Sequence, residues 1–138
     1  MRKKILIIDD EHDVMTYLVA VLDSNNYVSY SADSVKDGFL ILEEVKPDLI
    51  CLDIMMPKES GISMYIRLKN DPTYKDIPVI IISGVKQENE FDFRSYVPDK
   101  TIPAPDCFME KPIDVEEYIR TIGKLISSAT PSKKRGNK

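Results

Sequence analysis

A chain of 138 residues with 43% hydrophobic and 30% charged side chains has the make-up of one globular domain able to bury its own core. The formal charge is −4, yet four of the 19 basic residues (Lys133, Lys134, Arg135 and Lys138) crowd into the last six positions, so the body is distinctly acidic. An acidic body lacks the basic face that phosphate contacts need, which excludes direct nucleic-acid binding by the domain, and no apolar stretch is long enough to enter a membrane.

The start, Met1-Arg2-Lys3-Lys4 before Ile5 to Ile8, imitates a signal peptide, but Asp9-Asp10-Glu11 ends the apolar run far too early. The expected location is therefore cytoplasmic. Ile5 to Ile8 reads as a strand whose exit carries carboxylates. Val14, Leu18, Val21 and Leu22 then recur at helical spacing until the turn cluster Ser24-Asn25-Asn26. Tyr27 to Ser31 is a short β-prone run. Ser34 can cap a helix that reaches about Lys46, just before Pro47, although Gly38 inside it weakens the pattern.

Leu49-Ile50-Cys51-Leu52-Asp53 is an apolar run of strand length that ends on a carboxylate, with Pro57 just beyond. Such a run fits a strand buried on both faces of a parallel sheet. Gly61 to Asn70 reads as a helix broken by Asp71-Pro72, and Val79 to Ile82 is the most β-like run, leaving through Ser83-Gly84. Val85 to Tyr96 could be helical, but Phe91, Phe93, Tyr96 and Val97 make a poor stripe, and Pro98, Pro103 and Pro105 enforce an irregular link. Cys107-Phe108-Met109 is a short strand leaving through Glu110-Lys111-Pro112. Asp114 should cap a last helix with Tyr118, Ile119, Ile122, Leu125 and Ile126 on its apolar side. The expected division is a domain over residues 1–127 and a basic tail or linker over 128–138. Cys51 and Cys107 lack metal-ligand spacing and read as small core residues.

Repeating β-α five times with short, right-handed connections gives an α/β fold: a doubly wound, five-stranded parallel sheet of flavodoxin-like order 2-1-3-4-5, with an atypical fourth helix region. In that order strands 1, 3, 4 and 5 bring Asp9 and Asp10, Asp53, Ser83 and Lys111 to one edge, while Cys51 and Cys107 stay apart. Taken singly, these residues are unremarkable: the acidic pair could cap a helix, Ser83-Gly84 could be a turn, and Asp53 could open a loop. Their joint placement is what points to chemistry.

Converging carboxylates need a cation or a proton. Mg²⁺ suits them, being a hard ion held by a few carboxylates with water and phosphate oxygens completing its shell. Three carboxylate charges are then balanced by the metal and Lys111, and the neutral site can accept a phosphoryl group. Asp53 can act as nucleophile toward phosphorus, Ser83 can donate to one phosphoryl oxygen, Lys111 can pair with another, and Gly84 leaves room for the donor. His12, the single histidine, reads as an exposed helix-start residue.

Ile7-Ile8-Asp9-Asp10-Glu11, Leu52-Asp53-Ile54-Met55-Met56-Pro57 with Gly61 following, Ile82-Ser83-Gly84 and Glu110-Lys111-Pro112 together resemble the receiver domain of bacterial two-component response regulators. The resemblance implies that Asp53 is the phosphoacceptor, charged by a histidine kinase or a histidine phosphotransfer protein. It implies Mg²⁺ held by Asp9, Asp10, Asp53 and the backbone carbonyl of Met55, and a cis bond before Pro112. Ser83, Lys111 and Phe108 would form the switch, with Phe108 unable to exchange hydrogen bonds as a tyrosine would. Residues 85 to 106 depart from the family pattern, which unsettles the usual output and dimerisation surface.

The leading expectation is a signalling module in a phosphorelay that catalyses only its own phosphorylation and dephosphorylation. It would act on a downstream protein target or an effector domain outside this sequence, as a monomer or a phosphorylation-dependent dimer. Two alternatives are a Mg²⁺-dependent phosphatase using an aspartyl-phosphate, and a receiver-like binding module that is never phosphorylated. The phosphatase would need a second acid two residues after the nucleophile, where this chain has Met55. The intact set of Asp9, Asp10, Asp53, Ser83 and Lys111 argues against the third.

Overall fold

A computed structural model of the chain describes residues 2–54, 61–84, 94 and 97–129. Among them run five strands, β1 (Lys4–Ile8), β2 (Val28–Ala32), β3 (Leu49–Asp53), β4 (Val79–Ser83) and β5 (Cys107–Glu110). Four helices connect or follow them: α1 (His12–Ser24), α2 (Val35–Val45), α3 (Gly61–Lys69) and α4 (Val115–Ala129). The strands are parallel, in the order β2-β1-β3-β4-β5.

Side chains alternate across a strand, so each strand feeds two cores. Ile5, Ile7, Leu49, Cys51, Ile80, Ile82 and Met109 meet Leu18 and Leu22 of α1 and Tyr118, Ile122 and Ile126 of α4. Leu6, Ile8, Ile50, Leu52, Val79 and Ile81 face the other way, onto Val35 and Leu42 of α2 and Met64, Tyr65 and Leu68 of α3. Cover on both faces explains why β3 and β4 are apolar at nearly every position and buried throughout.

The helix boundaries follow local chemistry. The Ser34 hydroxyl accepts from the Asp37 amide at 3.1 Å, and Asp114 Oδ1 accepts from the Glu117 amide at 3.2 Å. Lys46 ends α2 with φ 55, in the left-handed region. Gly38 is a packing residue: a Cβ there would stand 2.9 Å from Ile8 Cδ1 and 3.3 Å from Met64 Cε, so an alanine would make the ends of those side chains shift. Strand β2 is displaced one residue from the Tyr27 to Ser31 pattern because its ladder with β1 opens at the pair Lys4–Val28 and closes at Ile8–Ala32. The last helix runs through Ala129, so the boundary expected between 127 and 128 falls in its final turn. Ser128 and Ala129 are not helix breakers, and the first proline comes at position 131.

The described stretch of the connection from β4 to β5, residues 97–106, is irregular, as its prolines require, yet it is anchored. Val97 and Ile102 are 2% and 3% exposed and join the core beside Tyr65, Leu68 and Val79. The Arg94 guanidinium donates to the carbonyls of Val97, Asp99 and Ile102 at 3.3, 3.1 and 2.9 Å. Tyr65 donates to the Pro103 carbonyl at 2.6 Å. The possible helix over Val85 to Tyr96, with Phe91, Phe93 and Tyr96, otherwise lies outside the described residues.

Both cysteines are free, and the register places Cys51 opposite Ile80 and Ile80 opposite Cys107, so a strand separates them. Burial pushes the Cys51 thiol up to about 12, and its contact with the Tyr118 hydroxyl at 3.2 Å offsets only part of that. No helix among the described residues is long and apolar enough to cross a membrane.

Candidate functional site

Parallel strands in register end together, and the site lies where they end. Ile8 pairs with Leu52, which sets Asp9 beside Asp53, and Asp53 pairs in turn with Ile82. Ser83 pairs with Glu110, and the Ser83 carbonyl accepts from the Lys111 amide at 2.8 Å, so Lys111 turns over the exit of β4. The bond from Lys111 to Pro112 is cis.

Asp9, Asp53 and Ser83 are almost wholly buried, at 1%, 2% and 0% exposure, and they are polar groups at the end of an otherwise apolar sheet. One carboxylate oxygen from each of Asp9, Asp10 and Asp53 falls within 4.8 Å of the others. Such a cluster is electrostatically costly unless positive charge joins it. Lys111 supplies some: its Nζ lies 3.0 Å from Asp9 Oδ2 and 3.4 Å from Asp53 Oδ2, and it also pairs with Glu11. Burial pulls the Lys111 ammonium toward deprotonation, but Glu11, Asp9 and Asp53 outweigh it, and the net shift is upward. Lys111 is a fixed cation.

The donor set fits a hard divalent ion. Oδ2 of Asp9 is buried and, among the described residues, accepts no hydrogen bond of sound geometry even with the ammonium close by, while Oδ1 accepts from the Glu11 amide at 2.9 Å. A buried carboxylate oxygen without a hydrogen-bond donor, beside two further carboxylates, is a ready oxygen ligand. Asp9, Asp10 and Asp53 would hold the ion. Met55, whose carbonyl was expected to complete the set, lies outside the described residues.

The remaining candidates sit around this centre. Gly84 is exposed, and a Cβ added to it would meet nothing within 4 Å among the described residues. Phe108 pairs with Ile81 and packs, partly buried, against the core under α2 and α3. His12 opens α1 at the surface with 74% of its side chain exposed, 3.5 Å from Asp33. The residue that sequence reasoning missed is Glu11, quoted in the acidic motif but given no role. The available signal was its adjacency to the acidic pair in a fold that returns a lysine to the same edge.

Chemically, the arrangement presents a buried carboxylate at a strand exit, flanked by a cation, a buried hydroxyl and space for a metal. Comparison with known proteins points the same way. The chain matches the response regulator receiver domain family over residues 5–122. It is 32% identical over 124 residues to protein PilH of Pseudomonas aeruginosa, covering 90% of this chain and 98% of that protein. It is 29% identical over 129 residues to the phosphate regulon transcriptional regulatory protein PhoB of the same species, covering 94% of this chain but 54% of PhoB. The chain thus spans about half the length of PhoB and nearly all of PilH. In fold it is similar to a CheY-like receiver domain protein from Methanospirillum hungatei, with a TM-score of 0.79 at 18% identity, covering 94% of this chain and 97% of that one.

Proposed function

The chain belongs to the response regulator receiver domain family, and on that footing we propose that it accepts a phosphoryl group on Asp53. One observation carries the reading: Asp53, buried to 2% exposure, has its carboxylate 3.4 Å from the Lys111 ammonium and within ligand distance of Asp9 and Asp10. A structural carboxylate would have little need of two more carboxylates at its side.

In the proposed step an Asp53 oxygen attacks phosphorus, and the bond from phosphorus to the donor's leaving group breaks with the electron pair going to that group. The product is an acyl phosphate on Asp53. Catalysis of this transfer is mainly positioning and charge stabilisation. Lys111 shifts from carboxylate to phosphoryl oxygen, and the Ser83 hydroxyl donates to a second one. When bound, Mg²⁺ supplies Lewis-acid neutralisation of the phosphoryl charge. Phe108, on the edge strand β5 that pairs with the strand of Ser83 and leads into Lys111, is the side chain through which the change at the phosphate would reach the face beyond β4 and β5.

The phosphodonor is a histidine kinase or a histidine phosphotransfer protein, and the charged form acts on a downstream protein or an attached effector, in the cytoplasm. Met55 cannot protonate a leaving group, so the acyl phosphate is a held signal and the chain does not turn over phosphomonoesters. The test is intact mass after incubation with a low-molecular-weight acyl phosphate, with and without Mg²⁺. Gain of one phosphoryl mass only with the metal is expected; no gain, or steady turnover of phosphomonoesters, overturns the proposal.

A further inference from the structure

Glu11 stands at the N-cap of α1 with extended backbone angles (φ −91, ψ 105), where a short polar side chain would ordinarily accept a helix amide. Its own side chain makes no cap hydrogen bond. It crosses instead to the Lys111 ammonium, 100 residues further along the chain. Meanwhile the Glu11 amide donates to Asp9 Oδ1 at 2.9 Å. One residue therefore orients a candidate metal ligand through its backbone and engages the site's cation through its side chain.

The Glu11 side chain is 58% exposed, whereas those of Asp9 and Asp53 are 1% and 2%. Burial does not force its contact with Lys111, and water could replace it. The contact has a consequence for charge. With Asp9, Asp10 and Asp53 opposed by a divalent ion and Lys111, the site is formally neutral; with Glu11 counted, it carries one negative charge too many for an incoming phosphoryl anion. Lys111 already faces Asp9, Glu11 and Asp53 with three N–H donors, so an incoming phosphoryl group draws on an ammonium that Glu11 also holds.

We propose that Glu11 is a positioning residue that detains the Lys111 ammonium and so slows the uptake of a phosphoryl group on Asp53. The inference rests on the reading of Asp53 as acceptor. As the oxygen–phosphorus bond forms at Asp53 and the donor's bond to phosphorus breaks, negative charge arrives beside Lys111. Glu11 competes with that charge for the same ammonium. The same carboxylate adds to the field that attracts a divalent cation, so removing it pushes cation affinity and phosphoryl uptake in opposite directions. A residue that merely supported the start of α1 would move both the same way.

The test compares the full chain with Glu11→Gln, which keeps shape and removes charge. In metal-free protein, nitrogen-15 NMR of the Lys111 ammonium should show faster proton exchange in the variant. At saturating Mg²⁺ and a fixed acyl phosphate concentration, phosphoryl uptake by intact mass should rise about two- to fivefold, the size of one partly exposed ion pair. Mg²⁺ affinity by calorimetry should fall by about twofold on the same reasoning. Added salt should accelerate the wild type more than the variant. Unchanged or slower uptake in Glu11→Gln, with a wild type that is phosphorylated normally, overturns the inference alone. A wild type that takes up no phosphoryl group overturns the Asp53 reading and this inference with it.

Discussion

Two lysines at opposite ends of the strands show what separates a cation held among carboxylates from one held by backbone carbonyls. Lys69, at the end of α3, donates to the carbonyls of Lys75 and Ile77 at 2.9 and 3.1 Å, holding down the turn that enters β4. Lys111, past the exit of β5, faces the carboxylates of Asp9, Glu11 and Asp53. Burial disfavours the charge on both, yet the outcomes differ in sign: Lys69 is shifted down from the ordinary 10.5, with Asp106 and Asp76 offsetting burial only in part, while Lys111 is shifted up. Carbonyl dipoles satisfy an ammonium's geometry, but full negative charges are needed to overturn the cost of desolvation. The difference marks the exit edge as a place built to concentrate charge and the entrance edge as one built to close a turn.

The sharpest way to break this comparison is one substitution made at both sites. Lys111→Met should cost about 3 kcal/mol in metal-free buffer, because it strands buried carboxylates without their cation. Urea unfolding measures it, and excess Mg²⁺ should restore much of the loss. Tyr65→Phe, which removes the 2.6 Å hydrogen bond to Pro103 that ties α3 to the irregular link, should cost about 1 kcal/mol and leave phosphoryl uptake at the wild-type rate. Lys69→Met should change stability by about 1 kcal/mol or less, since the lost hydrogen bonds are offset by removing a desolvated charge. Equal costs at positions 69 and 111 would dissolve the distinction.

Alkaline titration sharpens it further. Lys69 has a folded pKa below its unfolded value of 10.5, so the folded chain holds fewer protons in that interval and stability rises with pH up to about 10.5. Lys111 is the reverse: its contribution is complete below 10.5 and is lost as pH climbs toward the higher folded value. Side-chain NMR should therefore show Lys69 deprotonating first and Lys111 last, and the opposite order would contradict the assignment of their environments.

Much of this was legible in the chain because it depends on period and punctuation. Apolar runs ending in Asp9, Asp53 and Ser83, separated by helical patterns, determine a parallel sheet, and its strand order then gathers those residues with Lys111. Boundaries set by caps, such as Ser34 and Asp114, were readable for the same reason. What was not readable depends on contacts without a period. Nothing local distinguishes Val97 and Ile102, now core residues, from other apolar residues between prolines, and Arg94 gathers three carbonyls that no spacing rule anticipates. Gly38 reads as a weak point in a helix until Ile8 is seen against it. Glu11 belongs to this class as well, because its partner is 100 residues away.

In the proposed function Asp53, among four carboxylates brought to the exit edge with Lys111, is the one that becomes phosphorylated. Borohydride reduces an acyl phosphate on aspartate to homoserine, which leaves a permanent mark in the sequence. After Mg²⁺-dependent phosphorylation and reduction, peptide mass mapping should find homoserine at position 53 and should find none in an Asp53→Asn variant. Homoserine at position 9 or 10, or its persistence in the variant, would contradict the account.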